Sequence, residues 1–168
     1  MLRNCQLCPS FISALAAVVL TLPICAHAGS RPKVTTTLRT ALTGSIFLNT
    51  GDTSNSEWID LSGDIQLGVQ ATPPDPITPP DPIRVHANMA GVSGIGRTSG
   101  QHFVLNGSEN FEADGDVPNT LNLKGEYRLI PPDPIVPINF TVQVDQNGIA
   151  TSALATIGEC TTDLACGD

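Results

Sequence analysis

The stretch WIDLSGDIQLGVQAT, residues Trp58–Thr72, alternates between apolar and polar side chains along most of its length. The apolar side chains and one glycine fall on odd positions: Ile59, Leu61, Gly63, Ile65, Leu67, Val69 and Ala71. Because successive side chains of a β-strand point to opposite faces, this alternation predicts a strand with one buried face and one solvated face. A sheet with a solvated face is typical of antiparallel strands.

The same two-residue period recurs along the rest of the chain, where helical periodicity is nearly absent. It is found in residues 34–42, 83–90, 103–105, 121–129, 138–144 and 149–157. Hairpin signals separate these runs, among them Asp145-Gln-Asn-Gly148 and the glycine-rich stretch 91–100, in which we expect bulges and a turn. With no helix to cover the sheet, we predict an all-β fold, an antiparallel meander of about 7–8 strands that closes as a small barrel or a β-sandwich.

Residues 1–28 have the three parts of a secretory signal peptide. A short polar start with Arg3 precedes the apolar run 11–25, and Ala26-His27-Ala28 provides a cleavage site. We therefore expect cleavage near Ala28 and a secreted protein, extracellular or periplasmic, whose single all-β domain spans residues 29–158. The apolar run is shorter than the ~20 residues of a membrane-spanning helix and no later run is long enough, so we expect no membrane span.

Cleavage decides which cysteines remain in the mature chain. Cys5, Cys8 and Cys25 leave with the signal peptide, so only Cys160 and Cys166 are retained. In an oxidising compartment this even pair predicts a disulfide. We expect it to close the C-terminal tail, residues 159–168, and to contribute little to the stability of the core because the loop is short.

The expected mature chain is acidic. After the loss of Arg3 it has 7 Lys and Arg residues against 16 Asp and Glu residues, a formal net charge of −9. This charge repels phosphate backbones, so nucleic acid is not an expected partner. The expected partner is an unidentified extracellular or periplasmic protein, or a small ligand.

A proline motif, PPDPI, occurs twice in ATPPDPITPPDPI, residues 71–83, and once in IPPDPIVP, residues 130–137. Proline removes an amide donor, so we expect both stretches to be stiff connections between strands and not parts of a central ladder. If both emerge at one end of the sheet, they form an acidic rim that a partner binds. The residues of this possible interaction rim are Pro74, Asp75, Pro80, Asp81, Pro132 and Asp133. The alternative is a purely structural role as connectors.

Acidic residues cluster in SENFEADGD, residues 108–116. Calcium prefers several carboxylate and carbonyl oxygens from one flexible loop, which makes Glu109, Glu112, Asp114 and Asp116 candidate ligands. The spacing does not match an EF-hand loop, and the alternative is an acidic solvated loop. We therefore expect no cofactor and no metal, with calcium as the one candidate to be examined.

The sequence shows no catalytic pattern. The motif G-x-S-x-G is absent, and only His86 and His102 remain after cleavage, each expected on the solvated face. We predict a small exported β-domain with a binding or structural role and no catalytic residues. Two alternatives stay open: a barrel that carries a small apolar ligand inside, and a secreted hydrolase of unknown substrate, which requires a histidine, an acidic residue and a nucleophile in one cleft.

Overall fold

The computed structural model of this chain describes residues 32–49, 56–131, 134–159 and 164–167, the last four by their backbone alone. The predicted signal peptide, residues 1–28, lies outside the described residues. The strands are β1 Val34–Leu48, β2 Glu57–Ala71, β3 Ile83–Gly96, β4 His102–Asn106, β5 Ser108–Ala113, β6 Asn119–Ile130, β7 Ile135–Val144, β8 Ala150–Ile157 and β9 Leu164–Gly167. In this part of the chain, no helix is long and apolar enough to cross a membrane.

The strands form one antiparallel sheet with the order β8-β7-β6-β4-β3-β2-β1-β9, and β5 pairs with β3 beyond the end of β4. Most neighbours in the sheet follow each other in the chain, as in the fifteen-residue ladder of β1 with β2. The sheet curls into a nearly closed barrel. The prediction of an all-β antiparallel meander is therefore confirmed, and of the two expected architectures the barrel is the one that forms.

The core is built from the inward-facing positions of the strands. The odd residues of β2 that the alternation singled out are buried, from Ile59 at 0% exposure to Ala71 at 1%, apart from the half-buried Gly63. The large side chains of Tyr127, Phe103 and Phe140 are each at most 2% exposed. Burial of an aliphatic or aromatic side chain of this size contributes roughly 1.5–3 kcal/mol, so this inward face supplies most of the stability of the fold.

β4 and β5 run in the same direction and are separated by Gly107, whose φ of 136° lies outside the range that other residues favour. β4 pairs with both β3 and β6, whereas β5, within the described ranges, pairs with β3 alone. The expectation of an acidic loop over residues 108–116 is wrong for Ser108–Ala113, because these residues form β5. These residues have the two-residue period of a strand, but their charged side chains obscure it in the sequence. Phe111 and Ala113 pack against the core.

The barrel nearly closes where β1 approaches β8. In the described residues this seam has no backbone ladder, and threonine side chains bridge it instead. Thr40 Oγ1 donates a hydrogen bond to the carbonyl oxygen of Ala153 at 3.1 Å, and the amide of Ala150 donates to Thr36 Oγ1 at 3.4 Å. Further along β1, β9 pairs with Ser45–Leu48, so the segment expected only as a disulfide-closed tail also contributes a strand.

A β-bulge interrupts the pairing of β2 with β3. The register shifts between Asp64 and Gln66, and the two consecutive exposed residues Ala90 and Gly91 lie opposite this shift. The strands approach so closely here that a Cβ on Gly63 would overlap the carbonyl oxygen of Gly91. The expected bulge in the glycine-rich stretch is confirmed, and so is its turn, at residues 97–99.

The two proline-rich segments lie at opposite ends of the barrel. Residues 72–82 connect β2 to β3 at the end where β6 begins, whereas Ile130 and Pro131 follow β6 at the other end. The expectation that both emerge at one end is wrong, because the chain crosses the barrel an odd number of times between them. It runs down β3, up β4 and β5, and down β6.

Candidate functional site

The connection between β2 and β3 is held by its own aspartates. Asp75 closes a turn: its Oδ1 accepts a hydrogen bond from the amide of Ile77 at 2.9 Å, and its Oδ2 accepts one from Thr78 Oγ1 at 2.9 Å. Nearer the strands, Thr72 Oγ1 donates to Asp81 Oδ2 at 3.3 Å. Ile77 projects from this turn and is 87% exposed.

The three copies of PPDPI do not have equivalent positions. The second and third copies end on the first residues of β3 and β7, Ile83 and Ile135, whereas the first copy ends on Ile77 within the connection. Four of the proposed rim residues, Pro74, Asp75, Pro80 and Asp81, therefore share one connection. Pro132 and Asp133 lie outside the described residues, and the strand ends that flank them belong to the opposite end of the barrel.

Two of the four acidic residues considered for calcium, Glu109 and Glu112, lie on opposite faces of β5. Glu109 Oε2 accepts a hydrogen bond from the amide of Glu126 at 3.2 Å, on the side of β5 that faces β6. Glu112 is exposed on the other face and forms an ion pair with Arg84 at 2.9 Å. Asp114 and Asp116 follow β5 and are exposed. Within the residues that the structure describes, no group of three or more His, Cys, Asp or Glu side chains could hold a metal ion.

The predicted Cys160–Cys166 disulfide stays a prediction. Cys160 and the side chain of Cys166 lie outside the described part of the structure, and only the backbone of Cys166 is placed, in β9 opposite Ile46.

A groove of about 600 Å³ opens on the outer face of β1, β2 and β3 at the bulge. We call it the bulge groove, and it is lined by Arg39, Ala41, Thr43, Gly63, Asp64, Gln66, Asn88, Ala90 and Gly91. Its floor consists of glycine and alanine, and its walls carry charged and amide side chains. Among the described residues, the side chains of Arg39 and Asp64 have no hydrogen-bond or ion-pair partner, so both are available to a ligand.

A second groove, of about 550 Å³, lies next to the bulge groove on the same face. We call it the turn groove, and it is lined by Asp60, Ser62, Ser93, Gly94, Ile95, Gly96, Arg97, Gly100 and His102. Its charges are paired, since Arg97 Nη2 donates to Asp60 Oδ1 at 2.7 Å and to Ser45 Oγ at 3.0 Å. Hydrogen bonds from Arg97 and Ser45 lower the pKa of Asp60 to about 2, which keeps this carboxylate ionised.

The turn groove gathers a serine, a histidine and an aspartate, as the hydrolase alternative requires, but not in a catalytic arrangement. No hydrogen bond joins His102 to Ser62 or Ser93 in the described structure, and the Asp60 carboxylate is occupied by Arg97 and Ser45. A nucleophile activated by a general base needs a hydrogen bond between the two. His86 lies farther along the outer face and bonds to Asn110 at 2.9 Å.

The floor of the turn groove is fixed from within by a buried carboxylate that the sequence analysis missed. Glu57, only 8% exposed, accepts hydrogen bonds from the amides of Thr98 and Ser99, each at 3.0 Å, and from Ser99 Oγ at 2.6 Å. Hydrogen bonds from the Ser99 hydroxyl and from the amides of Ser99 and Thr98 lower the pKa of Glu57. The carboxylate therefore clamps the β3–β4 turn against the start of β2.

The residues of the bulge groove were also absent from the predicted site residues. Arg39, Asp64, Gln66 and Asn88 are ordinary solvated-face residues in the sequence, and only the register of three strands brings them together. The one sequence signal was the pair Ala90-Gly91, which breaks the alternation of β3 and marks the bulge.

These features define an all-β protein, a nearly closed antiparallel barrel with a side-chain-filled core and polar grooves on its outer face. No family model, curated protein or solved structure matches the chain significantly. The grooves are therefore the features of the molecule that bear on its function.

Proposed function

We propose that the mature protein is an exported binding module without catalytic activity, and that it binds its ligand on the outer face of β1, β2 and β3. The observation that carries this proposal is the bulge groove, whose volume of about 600 Å³ falls within the range typical of ligand sites. Its walls hold an arginine and an aspartate that are not engaged with each other. Export follows from the signal-peptide pattern of residues 1–28.

The position of the groove on strands supports a binding role. Arg39 and Gln66 are paired residues of β1 and β2, and Gln66 is paired in turn with Asn88 of β3. Side chains held on a sheet have fixed spacing, so a ligand meets a prearranged row of donors and acceptors and little ordering is required on binding.

The two alternatives have weaker support. An apolar ligand inside the barrel competes for space with Tyr127, Phe103 and Phe140, which occupy the interior. A hydrolase requires a base in contact with its nucleophile, and His102 makes no such contact with the serines of the turn groove in the described residues.

The test compares protein purified from its own host in wild-type form and in two arginine variants. Arg39→Gln removes the free cation of the bulge groove, whereas Arg84→Gln, the control, removes an exposed cation of β3 that is paired with Glu112 outside the groove. We expect a bound species in native mass spectra, or co-sedimentation with the host's envelope material, for the wild type and Arg84→Gln. Binding that is equal in the two variants, or absent from the wild type, would contradict the proposal.

A further inference from the structure

The bulge groove and the turn groove adjoin on the outer face, and we call the two together the track. Thr43 of the bulge groove is paired with Ser62 of the turn groove, and Ser62 is paired with Ser93 on the next strand. From Asp60 to Gln66 the track follows β2 for about 20 Å, at roughly 3.4 Å per residue. A track of this length and shape suits a linear polymer better than a compact molecule.

The charges of the track are balanced. The bulge groove has one arginine and one aspartate, Arg39 and Asp64, and the turn groove has another such pair, Arg97 and Asp60. The whole mature chain, by contrast, has a net charge of −9 and repels polyanions. The track also has no excess of carboxylates that would attract a polycation. This balance favours a ligand without net charge.

The neutral side chains of the track are hydroxyls and amides. Ser62, Ser93 and Thr43 each donate and accept hydrogen bonds, and the amide of Gln66 does the same. These groups match a ligand that is itself covered with hydroxyl groups. No Phe, Trp or Tyr is among the described residues that line the two grooves, so hydrogen bonding and not stacking determines recognition.

We propose that this track binds a linear, neutral polysaccharide that lies along β2. The inference rests on the proposed function, because it assigns a ligand class to the same face. Gly63 and Gly91 line the bulge groove and contribute only backbone atoms to it, which a sugar ring can contact. Its hydroxyl groups exchange hydrogen bonds with Gln66 and Ser62, and the free side chains of Arg39 and Asp64 add a donor and an acceptor.

Affinity electrophoresis of the mature chain tests this ligand class. Native gels contain laminarin, glucomannan, xylan or dextran as neutral polysaccharides, or alginate as a polyanion. We expect at least one neutral polysaccharide to retard the wild type and alginate not to do so. Gln66→Ala and Thr43→Ala should each raise the Kd for that polysaccharide, Gln66→Ala by about tenfold, which corresponds to ~1.4 kcal/mol.

The control variant is Gln143→Ala, which removes the same amide from a separate groove of about 520 Å³ beside the β6–β7 ladder and should leave the retardation unchanged. Circular dichroism of each variant checks that it is folded, and Thr43→Ala provides a second measurement on a different strand. Retardation by no neutral polysaccharide, retardation by alginate alone, or equal retardation of the wild type and both track variants would each overturn the proposal.

The outcomes separate this inference from the proposed function. If a host-derived species depends on Arg39 but no neutral polysaccharide retards the protein, the face is a binding site and the polysaccharide class is wrong. If a polysaccharide retards the wild type and the variants Gln66→Ala, Thr43→Ala and Arg39→Gln equally, the outer face is not the site and both proposals fail.

Discussion

Replacement of Glu57 should destabilise the protein far more than replacement of an exposed glutamate. Its carboxylate accepts hydrogen bonds from the amides of Thr98 and Ser99 and from Ser99 Oγ at 2.6–3.0 Å. A hydrogen bond to a charged group contributes about 1.5–3 kcal/mol, but water replaces part of this at a turn that is partly exposed. We expect Glu57→Ala to lower the free energy of unfolding by about 3 kcal/mol. Glu57→Gln retains one acceptor and should cost about 1 kcal/mol.

Urea denaturation followed by tryptophan fluorescence measures this change. Trp58 is the only tryptophan of the chain and is the neighbour of Glu57, so its emission reports directly on the clamped turn. In a thermal melt of a domain of this size, each 1 kcal/mol lost from the free energy of unfolding lowers Tm by roughly 4 °C. The control is Glu126→Gln, which removes an exposed carboxylate of β6 and should change stability by less than about 0.5 kcal/mol.

The contribution of Glu57 should also depend on pH in a defined direction. Folding lowers the pKa of Glu57 below its ordinary value of 4.5, chiefly through the hydrogen bond from the Ser99 hydroxyl. A carboxyl group whose pKa is lowered by folding contributes its full stabilisation above its unfolded pKa and loses it as the pH falls through the folded pKa. The difference in stability between wild type and Glu57→Gln should therefore be constant near neutral pH and shrink below about pH 4.5. A difference that is the same at pH 7 and pH 3, or a Glu126→Gln variant that loses as much stability, would refute this account.

Three further outcomes follow from the fold. In a urea titration, Gly91→Ala should destabilise the protein by about 1–3 kcal/mol, because its Cβ would overlap the carbonyl oxygen of Asp64. The control, Gly68→Ala, should be tolerated, since its Cβ meets only the Cβ of His86 at 4.0 Å. Tyr127→Phe should be neutral or stabilising in the same titration, because the Tyr127 hydroxyl is buried and has no hydrogen-bond partner among the described residues; a loss above about 1 kcal/mol would indicate a partner. A fluorophosphonate probe should label neither serine of the turn groove, and labelling detected by mass spectrometry would instead support the hydrolase alternative.

The sequence predicts the class of fold well because the signal is repeated in every long strand. A buried face needs an apolar residue at each second position, and β2 and β3 meet this requirement almost without exception up to the bulge. β5 was missed because its inward positions include Glu109, whose carboxylate bonds to the amide of Glu126 where a ladder would otherwise lie. Because this charged residue stands at an inward position, it breaks the apolar–polar alternation by which a strand is recognised in the sequence.

The candidate site could not be predicted, for a different physical reason. The side chains of the track, such as Arg39 and Gln66, lie on the solvated face, where the chain tolerates almost any polar residue. Their proximity depends on strand register, which a single sequence leaves open. The end at which each proline segment emerges depends on the number of passes between the two segments. The three passes of β3, of β4 with β5, and of β6 place them at opposite ends of the barrel.

The first PPDPI copy is separable from the folding of the barrel. The copy that ends at Ile83 leads directly into β3, and Thr72 is joined to Asp81 across the base of the connection. We expect, accordingly, that residues 73–78 tolerate exchange for a foreign epitope of similar length, because the hydrogen bond from Thr72 to Asp81 holds the base of the connection. The connection is thus a suitable site for peptide display, because a hydrogen bond holds its base and the tip at Ile77 is exposed.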